Sequence, residues 1–335
     1  MRAKSRGATG GRWARRWGAA LLAAVALAAL AAPLLAPNDP GEVFRDRAFA
    51  PPMRVRVVGE GGGWRAPFVY PIRLVDRLEQ RYEEDRAHPV PLAFLSNGRF
   101  ARLVDESRGP WLPLGGDAGG RDLLARLLFG ARTSLGVAAA AALGAIVIGL
   151  VLGGVAGYTG GAVDEALMRF SELVLVMPAV FVVLALRSAL PLVLPPATVF
   201  LLMSAIFALV GWPWVARAVR GVLASERSRE YVVAAASLGA THARVLAVHL
   251  LPACRNLLAA QAVLLLPAFV LAEATLSYLG LGFPDSTPSW GSMLQDASDP
   301  NVLLRSPWVL APAGGIALVT LAVNLFLESE PQPPR

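Results

Sequence analysis

The sequence is poor in several residues whose chemistry usually announces itself. It holds one cysteine, Cys254, which has no partner within the chain, so a disulfide-stapled secreted fold is excluded. It holds one lysine, Lys4, far from any glycine-rich phosphate loop. A Walker loop sets lysine directly after its glycines so that the ammonium reaches the nucleotide phosphates. The chain therefore lacks a P-loop of its own, and neither enzymatic activity nor a bound cofactor is expected. Histidine is scarce too: His88, His242 and His249 form no HExxH, and no cysteine pair accompanies them, which argues against a metal site. Charged residues make up only 16% of the 335, against about 25% in an average soluble domain.

Apolar residues take the place of what is missing, at 55% of the chain and a mean hydropathy of +0.53. That excludes disorder. A spanning helix needs roughly 20 largely apolar residues, and six segments qualify: 17–36, 134–158, 167–186, 197–216, 257–276 and 308–327. A short proline-rich turn at 191–196 separates the third from the fourth. The expected fold is an all-α integral membrane protein of about six transmembrane helices. The first segment exceeds the usual apolar core of a cleaved signal peptide, and Pro33 follows its small residues directly, so an uncleaved helix is expected.

A net charge of +7 raises the question of nucleic acid, but the arginines lie where membrane topology needs them. Before the first span stand Arg2, Lys4, Arg6, Arg12, Arg15 and Arg16 without one acid, which places that end in the cytoplasm. The segment between spans four and five carries Arg217, Arg220, Arg227, Arg229, Arg244 and Arg255 against Glu226 and Glu230, and reads as cytoplasmic as well. Between spans five and six Asp285, Asp296 and Asp299 outnumber Arg305, as on an outer face. The expected organisation is thus a cytoplasmic N-terminus over 1–16, a first helix over 17–36, an extracytoplasmic segment over 37–120, an interfacial amphipathic helix over 121–132, helices two to six within 133–327, and a cytoplasmic tail over 328–335. The interfacial helix is read from Leu123, Leu124, Leu127 and Leu128 on one face, with Arg121, Asp122 and Arg126 largely elsewhere.

Residues 38–114 mix charge signs, with prolines and a Gly61-Gly62-Gly63 run. Residues 74–86 suit a short helix and 54–58 a strand; the segment reads either as an outer cap able to touch a partner or as a loose connector. In the second span Gly149, Gly153 and Gly157 recur every fourth residue and clear one stripe for another helix to approach closely. Glu165, Arg169 and Glu172, spaced by four and three, are candidate intramembrane ion pairs, with Glu273 near the outer end of span five. Pairing for structure is favoured over proton-coupled transport.

The segment 226–252 has its own logic. An Ala-rich helix holding Glu230, Ala234 and Ala235 runs to Gly239, which is free to adopt the left-handed stop. Ala240 follows, Thr241 is placed to cap a second short helix, and Leu251-Pro252 lead into the next span. This loop resembles the EAA signature of ABC-importer permeases, E-A-A-x3-G-x9-I-x-L-P. Ala234, Ala235, Gly239, Leu251 and Pro252 match in register, while Val233 replaces the glutamate and His249 the isoleucine.

Further blocks resemble the dipeptide/oligopeptide branch of that family, and its C-type permease in particular. They are Leu114-Gly115-Gly116-Asp117 with Gly120-Arg121-Asp122, then Ala156-Gly157-Tyr158 with Gly160-Gly161, then Glu273 with Leu276-Ser277-Tyr278-Leu279-Gly280-Leu281-Gly282, and Thr287-Pro288-Ser289-Trp290-Gly291. Asn324-Leu325-Phe326-Leu327-Glu328 departs from the family's N-L-L-G-D. The resemblance implies half of a translocation pore in a bacterial or archaeal inner membrane. It also implies partners: a second permease subunit, two ATP-binding subunits that would carry the nucleotide, an extracytoplasmic solute-binding protein, and the bilayer, with no nucleic acid. Dipeptides or oligopeptides are the implied cargo, with nickel or another small solute as an alternative within the family and an ion-coupled secondary transporter as the alternative outside it.

Overall fold

The computed structural model describes residues 4–59, 63–77, 79–96, 98–177, 179–189, 191 and 194–327; the anticipated tail over 328–335 lies outside them. Among the described residues five helical stretches are long and apolar enough to cross a membrane: Trp13–Leu30, Leu123–Thr159, Pro196–Glu226, Val245–Tyr278 and Pro307–Leu327. A bent pair supplies a sixth if it forms one span. The membrane part is all-α, as composition requires. Contacts group the chain into two compact units, one being Leu135–Leu276 and the other the residues up to Ser134 together with those from Ser277 onward.

The second of these units holds α1 (Lys4–Leu30), α2 (Ala32–Leu35), the first turns of α3 (Leu123–Thr159), the short helices α10 (Trp290–Met293) and α11 (Pro300–Arg305), and α12 (Ala311–Leu327). The first and last spans pack closely: a Cβ on Gly18 would lie 2.5 Å from the Ala322 carbonyl oxygen, and Arg15 stands over the Phe326 ring at 5.1 Å.

Between α2 and α3 the chain builds strands. β1 (Arg56–Val58), β2 (Trp64–Val69), β5 (Val90–Ser96) and β6 (Arg99–Leu103) form an antiparallel sheet in the order β1-β2-β5-β6, and β3 (Ile72–Asp76) pairs with β4 (Arg81–Glu84). Alternation makes this possible. Val90 and Leu92 turn inward with Leu103, Val69, Ile72, Met53 and Leu112 to form a small core. The strand expected over 54–58 is present as β1. The helix expected over 74–86 is not: that stretch is the β3–β4 hairpin, with Leu74 opposite Tyr82. Its apolar residues are too few to make a helical stripe, whereas Ile72 and Tyr82 pack on the sheet's core. The segment is folded rather than a loose connector.

The unit Leu135–Leu276 contains most of α3, α4 (Gly161–Val176), α5 (Ala179–Ser188), α6 (Pro196–Glu226), α7 (Glu230–Ser237), α8 (His242–Arg244) and most of α9 (Arg255–Tyr278). Three expectations change here. A separate helix over 121–132 does not exist, because α3 runs unbroken from Leu123 for 37 residues. At 1.5 Å per residue that is about 55 Å, well beyond the ~30 Å hydrocarbon layer. The third span is broken, with Gly161–Val176 and Phe181–Ser188 meeting at 86°. Met177, the residue before Pro178, takes an extended ψ of 128°, since the proline ring disfavours the helical region for its predecessor. Finally α6 continues to Glu226 through Pro213, so Arg217 and Arg220, expected in the loop, belong to the helix.

The glycine stripe of α3 does what its spacing predicts. A Cβ on Gly149 would lie 2.5 Å from Val215 Cβ, on Gly153 2.3 Å from the Ala216 carbonyl oxygen, and on Gly157 2.8 Å from that of Arg220. Only bare backbone lets α3 and α6 approach so closely.

Candidate functional site

The loop after α6 folds as a helix, a bend and a second helix. Glu230 opens α7, its exposed carboxylate lying where the helix dipole favours an anion. Ala234 is exposed and Ala235 half-buried. Gly239 has φ +85°, with nothing within 4 Å of a would-be Cβ, so conformation rather than space calls for glycine there. The Ala240 amide donates to the Ala235 carbonyl at 3.1 Å, the long-range bond of a left-handed helix stop. Thr241 caps α8, its hydroxyl accepting from the Arg244 amide at 3.4 Å. The chain then runs through a π-helical segment, Val245–Leu250, and a 3₁₀ turn, Leu251–Cys254, that holds half-buried Leu251 and exposed Pro252, before α9. The side chain of His249, the residue in place of the signature isoleucine, lies outside the described atoms.

The outward surface of this loop carries exposed apolar side chains. Leu238, next to the bend, is 89% exposed, and Val233 and Tyr231 are also uncovered. Sequence reading passed over Leu238; its signal was a large aliphatic residue directly before a helix-stopping glycine. The base of the loop is polar. The Tyr231 hydroxyl donates to Glu226 at 2.8 Å, a bond that holds the phenol's pKa up, and Arg229 pairs with the same carboxylate at 3.0 Å.

Glu165, Arg169 and Glu172 do come together, Arg169 lying 3.9 Å from Glu165 and 3.5 Å from Glu172. They form a local pairing on one helix, exposed by 72%, 73% and 45%. The tighter pair nearby joins two helices: Arg220 grips Asp164 with Nε at 3.0 Å and Nη2 at 2.6 Å. Glu273, placed by sequence near an outer edge, is fully buried.

A second polar cluster surrounds the Gly115–Asp122 block. Asp122 caps α3, its carboxylate accepting from the Leu124 and Ala125 amides at 2.9 and 3.3 Å and from Asn38 Nδ2 at 2.9 Å. Burial pushes its pKa from 3.8 up to about 6, with the Asn38 bond and the amides pulling the other way. Asp117 meets Arg121 at 2.7 Å and Arg126 at 3.1 Å, and Asp285 meets the same arginines at 2.6 and 3.4 Å. The Arg121 hydrogen bond holds the Asp285 carboxyl below its ordinary range. Asp122 and Arg126, read from sequence as lying off the apolar face, are therefore buried. Trp290 packs beside them, with its Nε1 donating to the Leu127 carbonyl at 3.1 Å and its ring filling the space over Gly315.

Residues 145–329 match the family described as binding-protein-dependent transport system inner membrane component. The oligopeptide transport system permease protein OppC of Lactococcus lactis subsp. cremoris is 30% identical over 76% of this chain and 92% of its own length. OppC of Bacillus subtilis is 35% identical over 65% of this chain and 69% of its own. The dipeptide transport system permease protein DppC of Bacillus subtilis is 37% identical over 63% and 64%. The family match takes in the α3 glycine stripe and the α7–α8 loop alike, and the chain belongs to the binding-protein-dependent transport inner-membrane family, in its C-type ABC peptide-permease branch.

Proposed function

We propose that this protein is one of two permease subunits lining the pore of an ATP-driven importer of dipeptides or oligopeptides, and that it takes its energy from separate ATPase subunits through the α7–α8 loop. The observation that carries this reading is the loop itself: a rigid helix, a glycine-set bend and a capped second helix, presenting exposed Leu238, Val233 and Ala234 where a partner's groove can cover them. Apolar side chains so exposed next to a fixed bend are what a docking element needs. The peptide cargo rests on the relatives' names, OppC and DppC.

In this arrangement the N-terminus, the α7–α8 loop and the C-terminal end lie in the cytoplasm, and the β segment lies outside, where a solute-binding protein delivers cargo. Closure of the ATPases on nucleotide displaces α7 and α8 and biases the pore between inward- and outward-facing states, a two-state element shifted by a distant ligand. Glu165, Arg169 and Glu172 fix the surface of α4 rather than relay protons; Arg169 pairs with both glutamates within that one helix. The test is reconstitution with a partner permease, ATPases and binding protein, followed by uptake of a peptide panel. Uptake should follow ATP and persist when the proton gradient is dissipated. Uptake that collapses with the gradient while ATP stays high would sink the proposal.

A further inference from the structure

The Tyr158 hydroxyl and His242 Nδ1 are hydrogen-bonded, and their rings meet edge to face with centroids 5.7 Å apart. Tyr158 is the penultimate residue of α3; His242 is the first of α8, three residues beyond the Gly239 bend. Arg227, the residue that ends α6, donates through Nη1 to the Tyr158 carbonyl at 3.1 Å. Gly160, with φ +68°, leaves room for that guanidinium: a Cβ there would lie 2.7 Å from Nη1. Tyr158 is thus held by its side chain to the loop and by its backbone to the base of α6.

Chain continuity, with the Tyr231 and Arg229 bonds to Glu226, carries a displacement of the loop to α6 on one side, and continuity carries it to α9 on the other. α3 has no covalent link to the loop, yet it is locked along its glycine stripe to α6, and α4 is tied to α6 by Asp164 and Arg220. A contact between α8 and α3 therefore decides whether motion of the loop reaches the joined α3, α4 and α6 directly or only through the chain at the loop's two ends. We propose that the Tyr158–His242 pair is that contact: a pair of positioning residues that transmits motion of the α7–α8 loop to α3 and so couples ATP turnover to the pore. The proposal rests on the importer reading above.

The test uses the full complex, with two permeases, ATPases and binding protein, in proteoliposomes, and reads the ratio of peptide-stimulated to basal ATP turnover. Tyr158→Phe removes only the hydroxyl. His242→Phe keeps a ring but loses the bonding nitrogen, whereas His242→Asn keeps a polar atom near the Nδ1 position. Tyr158→Phe and His242→Phe should each lower the ratio at least fivefold in complexes that still co-purify in normal stoichiometry. The double variant should be no worse than either single, because the two act through one bond, and His242→Asn should stay within twofold of the parent. The proposal is overturned if both Phe variants keep the parental ratio, if their effects multiply, or if they simply prevent assembly. A parental complex without any peptide stimulation would defeat the importer reading and this proposal with it; intact stimulation with indifferent variants defeats the proposal alone.

Discussion

Two regions of this molecule use the same charged residues to opposite ends. Around the start of α3, Asp117 and Arg126 are 3% and 2% exposed, and they form a set of ion pairs with Arg121 and with Asp285, whose side chain reaches the surface. On α4 and at the base of the α7–α8 loop, Arg169 and Arg229 are 73% and 61% exposed, and each pairs with a glutamate three residues away on its own segment. A buried pair is costly to break, because removing one partner strands the other charge away from water. An exposed local pair contributes little and re-forms freely. The difference separates a fixed anchor from a part that is free to move, and residue type alone does not distinguish them.

The comparison breaks most sharply at the anchor. Asp117→Ala, which takes the nearest carboxylate from the buried Arg126 guanidinium, should destabilise the detergent-purified protein by about 3–5 kcal/mol, the range for an orphaned buried charge, read as a large drop in Tm. The second effect is a pH dependence at the helix cap. Because the folded state raises the Asp122 pKa from 3.8 to about 6, the stability it contributes is complete below the unfolded value and is lost as pH rises through the folded one. That loss is on the order of 3 kcal/mol. Asp122→Asn keeps a good cap and should flatten the stability profile between those two pH values relative to the parent; an unchanged profile would show that burial does not govern this group.

Next comes the α3–α6 seam. Gly153→Leu should cost about 1–3 kcal/mol by forcing the helices apart, while the same change at Gly221, which has nothing within 4 Å of a would-be Cβ, should be tolerated. The smallest effect belongs to the exposed set: Arg169→Ala should change stability by less than about 0.5 kcal/mol and leave ATP-driven uptake near the parental rate.

Much of this arrangement was legible in the sequence. The spans followed from apolar runs, the α3–α6 seam from glycines at intervals of four, and the loop from an alanine-rich helix stopped by Gly239 and restarted at Thr241. Those are local signals, written in the residues that form the element. What stayed hidden depends on distant partners. Arg126 looked solvent-facing because its partner Asp285 lies 159 residues further along the chain. The Asp164–Arg220 pair stayed hidden because Arg220, 56 residues away, was read into a loop instead of α6. The β3–β4 hairpin was missed because its short strands carry charges on their outer face and only Leu74 and Tyr82 mark the pairing. The break at Met177 was foreseeable from Pro178, had the proline been weighed against the apolar run around it.

The central claim is that the α7–α8 loop is the surface gripped by an ATPase. The most direct test places a thiol at Leu238 in the reconstituted complex; the only native thiol, Cys254, is fully buried. Leu238→Cys, probed with a short bifunctional thiol reagent against cysteines around the ATPase groove, should give a permease–ATPase crosslink whose yield changes between nucleotide-free and ATP-bound states. Peptide uptake that proceeds at the parental rate while no crosslink forms from this position, or from Ala234→Cys, in either state would contradict the account.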